Sequence, residues 1–187
     1  MVREMDAIFV EQCAPTLTGI KPASLFRCQA GEGRDPRQAA RRWAKDLAPF
    51  GIAVRILKEC PHTGACLVYV YRAKWLRQIL AEPEHAVFLR QMGYETERGC
   101  GGLLQQLSER LCLERDFPHE IGVFLGYPLE DVVGFIRYQG KCYTCSGCWK
   151  AYGNPAEAQA RFDAYRRCTA ECTKRFRQGV CIAGLAA

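Results

Sequence analysis

Five cysteines between positions 142 and 172 constrain this chain more than any other feature. Cys142, Cys145 and Cys148 fall three apart, and Cys168 and Cys172 follow four apart near the C-terminus. Cys145-Ser146-Gly147-Cys148 is a knuckle with glycine before the second thiol. A turn that tight lets two sulfurs converge on one ion and aims backbone amides at them. Cys168 and Cys172 project from one helical face. Ala158, Phe162, Tyr165 and Phe176 extend that face and mark it as inward. The pattern C-x2-C, nineteen residues, C-x3-C is close to common zinc spacings. The expected ligands are therefore Cys145, Cys148, Cys168 and Cys172, with Cys142 as a spare or alternate thiol. The bland reading, buried inert thiols, is the weaker one because the spacing fits a site.

All-thiolate tetrahedral sets suit zinc or iron–sulfur. Cys142, Cys145 and Cys148 also read as part of a ferredoxin-type run. The fourth cysteine that such a run needs, followed by proline, is missing, and Lys150-Ala151-Tyr152 stands there. Zinc is favoured, with an iron–sulfur cluster as the alternative.

Twelve cysteines in 187 residues could instead indicate a disulfide framework. A chain of this size has little need of covalent staples, and its N-terminal stretch carries Glu4 and Asp6 rather than a basic start to an apolar segment. No signal peptide and no membrane span are expected, since the longest apolar runs fall far short of the roughly 20 residues a bilayer requires. The expectation is a cytoplasmic protein.

The net charge of +6 is concentrated. Nine Lys and Arg stand against three Asp and Glu from Arg137 to Gln178, and the rest of the chain is neutral. Such a segment could bind an anion such as nucleic acid, or offset the charge of a thiolate-bound metal.

Periodicity gives the outline. Residues 1–13 read as a short helix, 23–29 as a strand, and Asp35 with Pro36 as the cap and first turn of a helix to Leu47. Residues 51–57 alternate as a strand, and 65–71 are continuously apolar, as in a central strand, so the two form a hairpin. Helical spacing dominates from Arg72 onward. The last helix starts at Asn154-Pro155 and runs to about Gln178. The fold class is α+β: a small antiparallel sheet near the N-terminus with several helices, then a helical Cys-rich metal-binding C-terminal segment. The division is a core over 1–138 with 139–187 packed on it.

Two further constellations invite chemistry. Cys13 precedes Ala14-Pro15-Thr16, which reads as a helix start, where a thiol loses its proton more easily. With His119 as base and Glu120 as its orienter, this would make a cysteine-dependent thiol enzyme. The plainer alternative, a buried Cys13 and a surface His119, is favoured. Residues 120–136 carry a helix-turn-helix spacing, but the second helix begins with Glu130 and Asp131, which phosphates repel. This is read as a helix pair used for packing. Nucleic-acid binding through the basic C-terminal segment is a further alternative, and nucleic acid is not the expected partner.

The stretches Glu11 to Lys21 with Ala23 to Phe26, Leu67 to Arg72, Phe117 to Pro128, Cys148 to Gly153 and Arg167 to Thr169 together resemble the bacterial domain-of-unknown-function family 3793. The resemblance covers nearly the whole chain. It implies a cytoplasmic protein of anaerobic Firmicutes-like bacteria, with no established activity, in the company of flavodoxin and iron-uptake genes. A protein partner from redox or iron physiology follows from that implication. The family pattern includes Cys145, Cys148, Cys168 and Cys172, and Cys142 is this chain's addition. Cys13 and His119 fall inside family motifs.

Overall fold

The structure, a computed structural model, describes residues 2–31, 33–113 and 116–186. Residue 1 of the expected first helix lies outside them. The fold is α+β, as the sequence pattern predicts. The chain groups into two compact units, 1–75 with 167–187, and 76–166. The charge break near residue 138 lies inside the second.

The first unit holds helix α1 (Val2–Leu17), strand β1 (Ala23–Cys28), helix α2 (Pro36–Leu47), strands β2 (Ile52–Glu59) and β3 (Cys66–Arg72), the end of α8 (Pro155–Arg177) and α9 (Ile182–Ala186). Asp35 caps α2 by accepting from the amides of Arg37 and Gln38 at 2.9 and 3.2 Å, and Pro36 fills the first position, where no amide is needed. The sheet is antiparallel in the order β1-β3-β2. The apolar run β3 is therefore central, and Val68, Tyr69 and Val70 are fully buried. A register shift between Ile56 and Lys58 interrupts β2.

One face of the sheet meets α1 and α2. Phe9 and Trp43 pack at 4.4 Å between ring centres, and Phe26 closes on Phe9 edge-on at 6.0 Å. The Trp43 indole N–H would be an unsatisfied donor there. It donates to Asp6 at 2.7 Å, and Arg42 donates to the same carboxylate at 2.6 and 3.0 Å. Cys172, Ile182 and Leu185 complete this core.

Helix α1 differs from the expectation. It does not stop at Cys13 but runs through Pro15 to Leu17. Proline lacks the amide that would bond back one turn. Burial outweighs that loss, since Cys13, Ala14, Thr16 and Leu17 are all fully buried. Arg72, at the end of β3, then closes the helix. Its guanidinium donates to the carbonyls of Thr16 and Leu17 at 2.8 and 2.5 Å, two acceptors that a helix end leaves open. Gly19, at φ +80°, turns the chain where a Cβ would stand 3.2 Å from that guanidinium.

The second unit is mostly helical: the body of α3 (Ala73–Ala81), α4 (Pro83–Gln91), α5 (Gly99–Leu113), the short α6 (Ile121–Phe124), α7 (Leu129–Tyr138), the two-residue strands β4 (Cys145–Ser146) and β5 (Lys150–Ala151), and the start of α8. Leu103, Leu104, Leu107 and Leu111 line the buried side of α5. Glu120 is buried and paired. Arg110 at 2.9 Å and the Tyr94 hydroxyl at 3.0 Å both donate to it, and the Arg110 guanidinium lies over the Tyr94 ring at 4.5 Å. Between α6 and α7 the chain turns at Gly126 (φ +72°). A Cβ on Gly122 would come within 2.7 Å of Val132, so the two helices pack at glycine distance. No described helix is long and apolar enough to cross a membrane.

Candidate functional site

In the second unit, Cys145 and Cys148 sit on a β-hairpin rather than in an irregular loop. Cys145 pairs with Ala151 and Ser146 with Lys150. The Gly147 amide donates to the Trp149 carbonyl at 3.0 Å, which tightens the turn. Glycine is required there by space, because a Cβ would stand 2.3 Å from the Phe162 ring. Cys145 is half-buried against Ala151, Ala158, Phe162 and Trp149, and Cys148 is exposed. Cys142 is exposed too, on a left-handed backbone (φ +57°).

Asp131 anchors this hairpin. It stands in the first turn of α7, 4% exposed. It accepts the Trp149 indole N–H at 2.7 Å and the amides of Tyr152 and Gly153 at 2.6 and 3.0 Å. Three donors satisfy a buried carboxylate, which would otherwise be costly. Trp149, so held, stacks on Tyr127 at 4.7 Å and meets Phe162 edge-on at 4.5 Å. Burial pushes the Tyr127 hydroxyl up to about 12, with the nearby Cys148 and Tyr165 adding to the shift.

Between the hairpin and the α6–α7 pair lies a cleft of about 370 Å³. The hairpin contributes Ser146 to Lys150, and the helical side contributes Ile121, Leu125, Val132 and Phe135. Phe117 and His119 lie at its edge. The exposed His119 ring sits 4.8 Å from Phe135 and 6.1 Å from Phe117. The Lys150 ammonium donates to the Gly140 carbonyl at 2.7 Å and lies 5.0 Å from the Tyr143 ring centre. His119 therefore belongs to an aromatic wall, and the segment with helix-turn-helix spacing forms part of the same cleft.

The other two candidate ligands are in the first unit. Cys172 is buried among core residues, and Cys168 packs against that core from the surface side. The two thiols hydrogen-bond to each other, and the Thr18 hydroxyl lies 3.1 Å from the Cys168 sulfur. Burial first, then Cys168, pushes the Cys172 thiol up to about 11. Each pair offers two sulfurs. Among the described residues, no group of three or more His, Cys, Asp or Glu is placed to hold a metal ion.

Cys13 lies in the last turns of α1, with no exposed surface. The expected helix start is thus corrected: the positive end of a helix is not what this thiol meets. Burial drives its pKa far upward, with Lys21 opposing weakly. A thiol so placed is held protonated, the reverse of an activated nucleophile.

Sequence reasoning named Cys145, Cys148 and His119 but missed Asp131, Tyr127 and Trp149 as a unit. The available signal was Asp131 itself, an acid at the inward edge of an otherwise apolar helix face.

The family model described as "Protein of unknown function (DUF3793)" matches residues 9–186. No curated protein and no solved structure matches the chain.

Proposed function

Because the chain belongs to the DUF3793 family, whose function is unknown, we propose its role from its own residues: a cytoplasmic metal-binding protein with a four-thiolate zinc site. The ligands are Cys145, Cys148, Cys168 and Cys172, with Cys142 as an exchangeable fifth thiol. The observation that carries this reading is that the four thiols come as two pairs on regular elements: a glycine-tightened hairpin turn, and consecutive turns of one helix. Both are arrangements that zinc sites use. The excess of Lys and Arg along residues 137–178 offsets the negative charge of a thiolate-bound ion. An iron–sulfur cluster is the alternative occupant. The protein acts through a protein partner in redox or iron physiology.

Metal analysis of the protein purified anaerobically without chelators tests this. About one zinc per chain is expected, lost on treatment with thiol-reactive reagents. Replacing either pair by serine should abolish it. A well-folded protein free of metal would end the reading, and a brown protein with iron–sulfur charge-transfer bands would replace zinc by a cluster.

The surroundings of Cys13 lend no support to a thiol enzyme, since its thiol is buried and protonated. In the basic segment Trp149 and Phe162 pack on each other, and Trp149 stacks on Tyr127, so these rings have a packing role without nucleic acid.

A further inference from the structure

We propose that the cleft of the second unit is a binding site for a small planar aromatic anion, of the chemical class of a one- or two-ring aromatic carboxylate. The inference does not require the thiolate reading, though Cys148 lines the cleft and belongs to both.

Its first support is shape and lining. The cleft holds about 370 Å³, within the range of small-molecule sites and toward its lower end. Phe117, His119 and Phe135 contribute rings from the helical side, and Trp149, already stacked on Tyr127, closes the hairpin side. Flat π-faces favour a flat ligand, which stacks offset or edge-on against them.

The second support is charge. Two side chains of full charge line the cleft, Asp131 and Lys150. The Asp131 carboxylate is spent on the indole N–H of Trp149 and two backbone amides. The Lys150 ammonium has three donors, and the Gly140 carbonyl takes one. What the cleft offers a ligand is therefore positive, set in an apolar aromatic surround where a charge-assisted hydrogen bond is strong.

The third support is preorganisation. Asp131 fixes the Trp149 indole, and Gly122 lets the α6–α7 wall close to glycine distance on Val132. The walls are held by buried contacts rather than left to the ligand to assemble, which spares binding the cost of ordering them.

The test is calorimetric titration of the full-length protein, as purified, with 2-naphthoate and with 2-naphthalenemethanol, its neutral counterpart. Naphthoate should bind about tenfold or more tightly than the alcohol, the margin of one charge-assisted hydrogen bond. Lys150→Met should erase that preference, while Lys150→Arg retains it. His119→Ala should weaken both probes alike, because a stacking wall is lost. Circular dichroism of each variant confirms that it is folded. Equal binding of the two probes, or no binding of naphthoate at millimolar concentration, overturns the proposal. Metal content measured on the same samples keeps this outcome separate from that of the zinc site.

Discussion

Asp131 receives the Trp149 indole N–H at 2.7 Å, which ties the first turn of α7 to the cysteine hairpin. The same carboxylate takes the amides of Tyr152 and Gly153. One buried acid thus fixes both the cleft wall and the strand that follows the Cys148 turn.

Removing this acceptor leaves three half-buried donors unpaired. Asp131→Ala should cost about 2–4 kcal/mol of unfolding free energy, since an orphaned buried polar group loses its full desolvation penalty. Asp131→Asn retains an acceptor oxygen and should cost less. Urea denaturation of the two variants checks the order. Equal stability of Asp131→Ala and the native chain would show that water replaces the carboxylate without penalty.

Gly147→Ala forces a methyl into the Phe162 ring, 2.3 Å away. Overpacking of this kind costs about 1–3 kcal/mol. Adding Phe162→Leu should recover part of that loss, because the ring is the obstacle. Thermal unfolding of the single and double variants reads the coupling.

Glu120 is buried and its partner Arg110 half-buried, with 3% and 24% of their side chains exposed. Breaking one side, as in Arg110→Met, strands a buried carboxylate and should destabilise by about 3–5 kcal/mol. The expected rescue is Glu120→Gln on that background, which removes the stranded charge. A double variant no more stable than Arg110→Met would show that the Tyr94 hydroxyl alone suffices for Glu120.

Alkaline pH should weaken the fold through its buried thiols. The Cys172 pKa rises from 9.0 to about 11 on folding, and that of Cys13 rises as well. A raised folded value means that the native state keeps protons that the unfolded chain releases. The stabilisation is complete below pH 9 and is lost as pH climbs through the folded value. In metal-free protein, Cys13→Ala with Cys172→Ala should flatten the fall in stability between pH 9 and 11. An unchanged slope would assign it to other groups.

Local chemistry was legible where it was self-contained. Asp35 before Pro36 sets a helix start by hydrogen bonds two and three residues away, and the helix begins there. The continuous apolar run of β3 marks burial on both faces, hence a central strand. Legibility failed where a distant partner decides. Pro15 reads as a helix boundary, yet the helix passes it because its buried face and the Arg72 guanidinium, far along the chain, stabilise the last turn. Asp131 reads as a charge that repels phosphate, and its role depends on the Trp149 indole, whose approach no spacing rule encodes. The hairpin strands β4 and β5 are two residues each, too short to carry a period.

The first unit is interrupted: its core draws on residues 1–75 and again on 167–187, while residues 76–166 form a unit of their own. Helix α9 packs on both α1 and α2, and Cys172, Ile182 and Leu185 belong to the same core as Phe9 and Trp43. During synthesis residues 1–75 must therefore wait for residues 167–187, which are made only after the whole of 76–166. Residues 76–166 are expected to complete their core first, with α1 and α2 left short of α9 and the end of α8 until 167–187 are made. A released chain ending at residue 166 should show protease-resistant fragments from 76–166 and rapid cleavage within 1–75. Resistance of both regions would mean that the first unit closes without its C-terminal share.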